Sequence, residues 1–191
     1  MSNPWLSIWT SPRKTIRHII ETAPVRKTFL LAVVFGLQYL LSFYHALLAQ
    51  GTFVNPYLMI GALVFSPLLG YILLNIGSFV FYMVGKLFKG KAPFSHIYAS
   101  VAWSIVPFIV NVVLWLCFFV FFTFDISLFD SIYYLIFTLI VGYVIPIWSF
   151  ILLVNCLKEV QEYSIWRAVS TVVLPVIVLY LFAIVLDYAL V

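Results

Sequence analysis

Charged side chains are the scarcest component of this chain. Asp, Glu, Lys and Arg make up 8% of its 191 residues, against about 25% in soluble domains. Apolar residues reach 65%, against about 45–50% in soluble domains. A soluble domain of this size still exposes much of its area, so it could not hide that much apolar surface. Cysteine is almost missing too. Cys117 and Cys156 are the only two, and both lie inside apolar runs. A disulfide framework is therefore implausible, and both read as buried packing residues. Cys156, near the end of its run, is also a weak candidate for palmitoylation. His18, His45 and His96 stand far apart, without cysteine or carboxylate companions at ligand spacing. No HExxH, GxSxG or Walker loop occurs. No Asp, Glu, Lys or Arg lies at the middle of an apolar run, where proton relays and ion sites usually need one. These absences argue against an enzyme, a metal site, a cofactor and a nucleic-acid partner.

What remains is long apolar runs. No Lys, Arg, Asp or Glu occurs from Thr28 to Gly85, a length that holds two spans of about 20 residues and a turn. Gln50-Gly51-Thr52-Phe53-Val54-Asn55-Pro56 supplies the turn residues. The whole chain parses into spans at about 28–48, 57–85, 95–122, 132–157 and 168–187. The second is long for a hydrocarbon core of about 30 Å, so it should tilt, kink at Pro67 or protrude. The fifth holds thirteen Val, Leu, Ile or Phe between Val169 and Leu186. That is worth on the order of −4 to −8 kcal/mol for insertion, before Pro175 and the polar residues are counted. The expected fold class is all-α: a bundle of five transmembrane helices (residues 28–191) behind a leader (residues 1–27). The first apolar run follows a charged leader and is longer than a signal-peptide core, so it reads as an uncleaved span.

Orientation comes from the basic residues. Arg13, Lys14, Arg17, Arg26 and Lys27 precede the first span; Lys86, Lys89 and Lys91 follow the second; Lys158 and Arg167 flank the polar stretch Lys158–Ser164 after the fourth. With five spans all of them fall on one side, and the opposite side carries Asp125 and Asp130. The positive-inside rule then expects a multi-pass protein of the cell membrane with its N-terminus in the cytoplasm and its C-terminus outside.

Within the leader, Ser11 and Pro12 suit a helix start. Ile16, Ile19 and Ile20 form one face, with Arg13, Lys14, Arg17 and His18 on the other. Trp5 and Trp9 just before them suit headgroup-level anchors. Residues Trp5, Trp9, Arg13, Lys14 and Arg17 are thus expected to contact anionic lipid at the membrane surface, with a cytosolic docking site as the alternative. Polar residues inside the spans form stripes. Gln38, Ser42 and His45 lie on the first span; Tyr71, Asn75, Ser78 and Tyr82 on the second; Ser100, Ser104, Pro107 and Asn111 on the third. Gln38, His45, Asn75, Ser100, Ser104 and Asn111 are the candidate intramembrane polar face. They serve either hydrogen bonding between helices or a pathway for a solute or lipid headgroup. Asn111 is expected to bond Gln38 or Asn75. Ala62, Ser66 and Gly70 form a small-residue row for close packing, within the chain or with a second copy. Pro67, Pro107, Pro146 and Pro175 should kink four spans.

Three segments resemble the Yip1 domain family: Asn3-Pro4-Trp5 through Trp9, Pro12 and Arg13; Phe88-Lys-Gly-Lys-Ala-Pro-Phe94 with Tyr98 and Pro107; and Trp148-Ser-Phe-Ile-Leu-Leu with Leu157-Lys-Glu-Val-Gln161 and Trp166-Arg-Ala168. The resemblance covers nearly the whole chain, in order. It implies five spans with a cytoplasmic N-terminus and, in eukaryotic members, vesicle trafficking with small Rab-type GTPases. This chain lacks the long hydrophilic N-terminal region and the Asp-Leu-Tyr-Gly-Pro motif of that branch, so it is more similar to bacterial members of the inner membrane. The expected function is a non-enzymatic membrane scaffold or adaptor, whose partners are the bilayer and either a second copy or another membrane protein. The alternative is a permease, channel or lipid-handling protein that uses the polar stripes.

Overall fold

The computed structural model describes residues 3–22, 28–50, 56–124 and 132–190. Among these residues the regular structure is helical: α1 (Pro4–Thr10), α2 (Pro12–Thr22), α3 (Thr28–Ala49), α4 (Pro56–Leu87), α5 (Phe94–Ser104), α6 (Pro107–Phe124), α7 (Ile132–Leu139), a π-helical segment (Ile140–Val144), α8 (Ile145–Gln161) and α9 (Ile165–Leu190). The turn at 51–55 and the loop carrying Asp125 and Asp130 lie outside the described residues. Four stretches are long and apolar enough to cross a membrane: Leu63–Leu87, Phe94–Phe118, Ile132–Gln161 and Ile165–Leu186, with Thr28–Tyr44 as a shorter apolar helix. Their outward faces are apolar. On α9, Val176, Ile177, Val178, Leu179, Tyr180, Leu181 and Phe182 are all exposed. An exposed apolar surface of this kind belongs in lipid.

The prolines act differently from one another. Pro67 and Pro175 lie inside continuous helices. Pro107 separates α5 from α6. It has no N–H to offer Trp103, and the Trp103 carbonyl accepts from Val106 at 3.4 Å instead. Phe108 N–H donates to Ile105 at 2.8 Å, which releases the Ser104 carbonyl from the helical ladder. Ser149 Oγ donates to that carbonyl at 2.7 Å, in a buried position. A side chain thus satisfies the backbone group that the break frees, as a nonpolar medium requires. Before Pro146 the backbone widens into the π-segment, and Ile145 N–H donates to the carbonyl of Ile140.

The chain forms two compact units. The first comprises residues 1–25, 76–101 and 152–191; the second comprises residues 26–75 and 102–151. In the second unit, α3 meets α4 through small residues. A Cβ on Gly36 would overlap the Ser66 carbonyl, and one on Gly70 would overlap the Ala32 carbonyl. Ser66 and Gly70 therefore serve packing within the chain. Their partners Ala32 and Gly36 form a matching small-residue row. The side chain of Ala62 lies outside the described residues. An aromatic core follows: Trp115 and Phe137 meet edge to face at 5.0 Å, and Phe118 stacks on Phe137 at 4.5 Å, with Leu41 and Val141 beside them.

The cysteines divide. Cys156 is fully buried, which fits packing and closes it to acylation, while Cys117 is exposed rather than packed. Cys117 sits on the outward side of a helix whose inward side is filled by Trp115 and Phe118.

Candidate functional site

In the first unit the leader is folded against α8. The Asn3 side chain accepts from Trp5 N–H at 3.1 Å and starts α1. The Thr15 hydroxyl lies 2.9 Å from both the Ser11 carbonyl and the Ser7 hydroxyl, which ties α2 to α1. Ile8, Ile16 and Ile19 are buried. Arg13 and Arg17, one turn apart on α2, face Asn155 and Glu159, one turn apart on α8. Arg13 Nε donates to Asn155 Oδ1 at 3.1 Å, and the Arg17 guanidinium pairs with the Glu159 carboxylate. Two of the residues expected at the lipid surface are thereby engaged in a ladder within the protein. Lys14 remains exposed, while Trp5 and Trp9 are half-buried.

A second feature of this unit is a glutamine wedge. Gln161, the last residue of α8, is buried, and its Oε1 accepts from the Ala92 N–H at 3.2 Å. Its side chain fills the space that a Cβ would take at Gly85 and at Gly90. The loop it holds ends α4 in a Schellman turn. Gly90 N–H donates to the Gly85 carbonyl at 2.8 Å, Lys89 N–H donates to the Lys86 carbonyl at 2.9 Å, and Lys89 sits at φ 62°. Glu162, the residue after α8, also has positive φ, at 55°, and pairs with Lys91 at 3.3 Å. Lys86 lies over the Tyr82 ring, 5.3 Å from its centroid. Tyr163 closes the next turn through a 2.8 Å bond with Thr171. Burial pushes the Tyr163 phenol above its ordinary 10.0, partly offset by the Thr171 hydroxyl. Lys86, Lys89, Lys91 and Arg167 are exposed on this unit, as are Leu87 and Trp166.

In the second unit a cavity of about 620 Å³ is bounded by aromatic side chains including Phe35, Phe43, Phe108 and Phe137, with Gln38, Ser42 and Thr138 among its polar members. Gln38 Nε2 donates to Ser42 Oγ at 2.9 Å, and Gln38 Oε1 has no hydrogen-bond partner among the described residues. Gly142 of the π-segment also lines this cavity.

Of the five intramembrane candidates whose side chains are described, Gln38 alone lines this cavity. Asn75 donates to the Tyr71 carbonyl of its own helix at 2.8 Å. Ser100 donates to His96 at 2.9 Å and belongs to the first unit. Ser104 is buried, with its carbonyl taken by Ser149. The His45 side chain lies outside the described residues. Asn111 is fully buried, and neither of its amide atoms has a hydrogen-bond partner among the described residues, so the expected bonds to Gln38 or Asn75 do not form. The amide nitrogens of Gln38 and Asn75 donate instead to groups one turn away on their own helices.

The Yip1 domain model matches the chain over residues 6–186. No curated protein and no solved structure matches it.

Proposed function

We propose, from the premise that the chain belongs to the Yip1 domain family, that it is a non-enzymatic adaptor of the cell membrane. In this reading α3 is the fifth span. Its 22 residues extend about 33 Å at about 1.5 Å per residue, matching a hydrocarbon core of about 30 Å. The N-terminus is cytoplasmic and the C-terminus outside, as the one-sided basic residues indicate. The leader and the turns after α4 and α8 then offer Lys14, Lys86, Lys89, Lys91, Arg167 and Trp166 to anionic lipid and to a protein partner.

The observation that carries this reading is the ladder of Arg13 and Arg17 on Asn155 and Glu159. It orders the leader without using Lys14 or Lys89, which stay available for binding. A permease would instead need a polar route. Asn75 and Ser100 bond within their own helices, which favours the adaptor.

Two experiments test the proposal. In a strain of the source organism lacking the chain, Arg13→Glu with Arg17→Glu should abolish complementation. Adding Asn155→Lys and Glu159→Arg should restore it at least in part. Reversing Lys89 and Lys91 should abolish it at unchanged expression. Full complementation by every charge variant would refute the adaptor. For topology, an impermeant thiol reagent should label Thr52→Cys and Ser127→Cys in intact cells but not Lys89→Cys, at an exposed position of the turn after α4, each in a Cys-free background. Labelling of Lys89→Cys would refute the orientation.

A further inference from the structure

We propose that the cavity of the second unit holds one neutral, hydroxyl-bearing lipid drawn from the bilayer, its hydroxyl donating to Gln38 Oε1. The cavity, at about 620 Å³, falls within the roughly 300–1,000 Å³ of small-molecule sites. Among the described residues its lining contains no Asp, Glu, Lys, Arg or His. A charged headgroup would lose its hydration there without a counter-ion, so the ligand is neutral.

Gln38 sets the ligand's polarity. It is 7% exposed, and its amide nitrogen is already committed to Ser42. Thr138 is also committed, since its hydroxyl donates to the Tyr134 carbonyl. The open acceptor is therefore Gln38 Oε1. A buried carbonyl oxygen in a nonpolar medium calls for a donor. An ester or ketone cannot supply one; an alcohol can. The remaining wall is aromatic and suits an apolar chain. Access is from the hydrocarbon side, because the rim residues Tyr39 and Phe43 are exposed apolar groups on the membrane-type helix α3. The π-segment adds room: nothing lies within 4 Å of a Cβ built on Gly142, and such bulges recur at functional sites.

This inference does not rest on the adaptor reading, which concerns residues of the first unit. The test uses the full chain in phosphatidylcholine vesicles. The probe is a monoacylglycerol with a diazirine and an alkyne in its chain, compared with the same molecule methylated on both hydroxyls. After irradiation and digestion, label from the free-hydroxyl probe should concentrate in peptides covering Phe35–Phe43 and Phe137–Gly142. The methylated probe should label them about fivefold less, the equivalent of one hydrogen bond of about 1 kcal/mol. Gln38→Leu should remove that difference between the probes. Gly142→Trp should suppress labelling by both. Equal labelling by the two probes in the unaltered chain would overturn the proposal, as would label spread over the outward face of α9. The probe comparison needs no substitution, so it stands even if a variant fails to fold.

Discussion

Gly85 and Gln161 allow the wedge to be measured by a reversal of sign. Gly85 lies within α4, where replacing glycine by alanine ordinarily stabilises by about 0.5–1 kcal/mol. Here a Cβ would overlap Gln161 Nε2 and approach its Cδ at 3.3 Å, and the three nearest atoms all belong to Gln161. Overpacking of this kind costs about 1–3 kcal/mol, so Gly85→Ala alone should destabilise by up to about 2.5 kcal/mol. Gln161→Ala alone should also destabilise, because the buried Ala92 N–H loses its acceptor, at about 1–3 kcal/mol. In the Gln161→Ala background the obstruction is gone, and Gly85→Ala should now stabilise by about 0.5–1 kcal/mol. The coupling is the overpacking term itself, within the range seen for residues in contact. Unfolding by SDS in mixed micelles, followed by far-UV circular dichroism, gives all four corners of the cycle. If Gly85→Ala has the same effect in both backgrounds, Gln161 does not occupy that space and the wedge is refuted.

Three further outcomes are expected in the same assay. Lys89→Gly should stabilise by about 0.5–1 kcal/mol, because Lys89 holds a left-handed conformation that glycine adopts without strain; a loss of stability would mean that the lysine side chain contributes more than its backbone costs. Ser149→Ala should destabilise by about 1–2 kcal/mol by orphaning the Ser104 carbonyl, and an unchanged midpoint would show that the carbonyl finds another donor. Asn111→Leu should stabilise by about 1–3 kcal/mol, since it removes a buried amide with no hydrogen-bond partner among the described residues; destabilisation would show that the amide is paired.

The helical parts of the fold were legible wherever a local rule governs them. Apolar runs set the positions of α3, α4 and α9 to within a few residues, because lipid solvates whatever apolar surface a helix presents. Pro107 was legible as a break for the same reason: a missing N–H is a property of one residue. The π-segment was not legible, since Ile140-Val-Gly-Tyr-Val144 has no composition that distinguishes it from α-helix. The cavity was only partly legible. Gln38 and Ser42 share a face by spacing alone, but the aromatic wall and Thr138 come from helices whose approach no periodicity encodes.

The ladder shows most clearly where sequence reasoning stops. Arg13 and Arg17 are spaced for one helix face, and attraction to anionic lipid accounts for them so fully that no protein partner is required. Their complement is equally regular: Asn155 and Glu159 are also four residues apart. It goes unnoticed when the fourth span is ended at Leu157 and Glu159 is assigned to a polar loop. The structure extends α8 to Gln161, and that one added turn puts Asn155 and Glu159 on a common face. Two polar residues of that turn find partners remote in sequence. Glu159 meets Arg17, and Gln161 caps the Ala92 N–H. A helix in lipid is thus continued past its apolar run by partners remote in sequence, the leader's Arg17 and the Ala92 N–H.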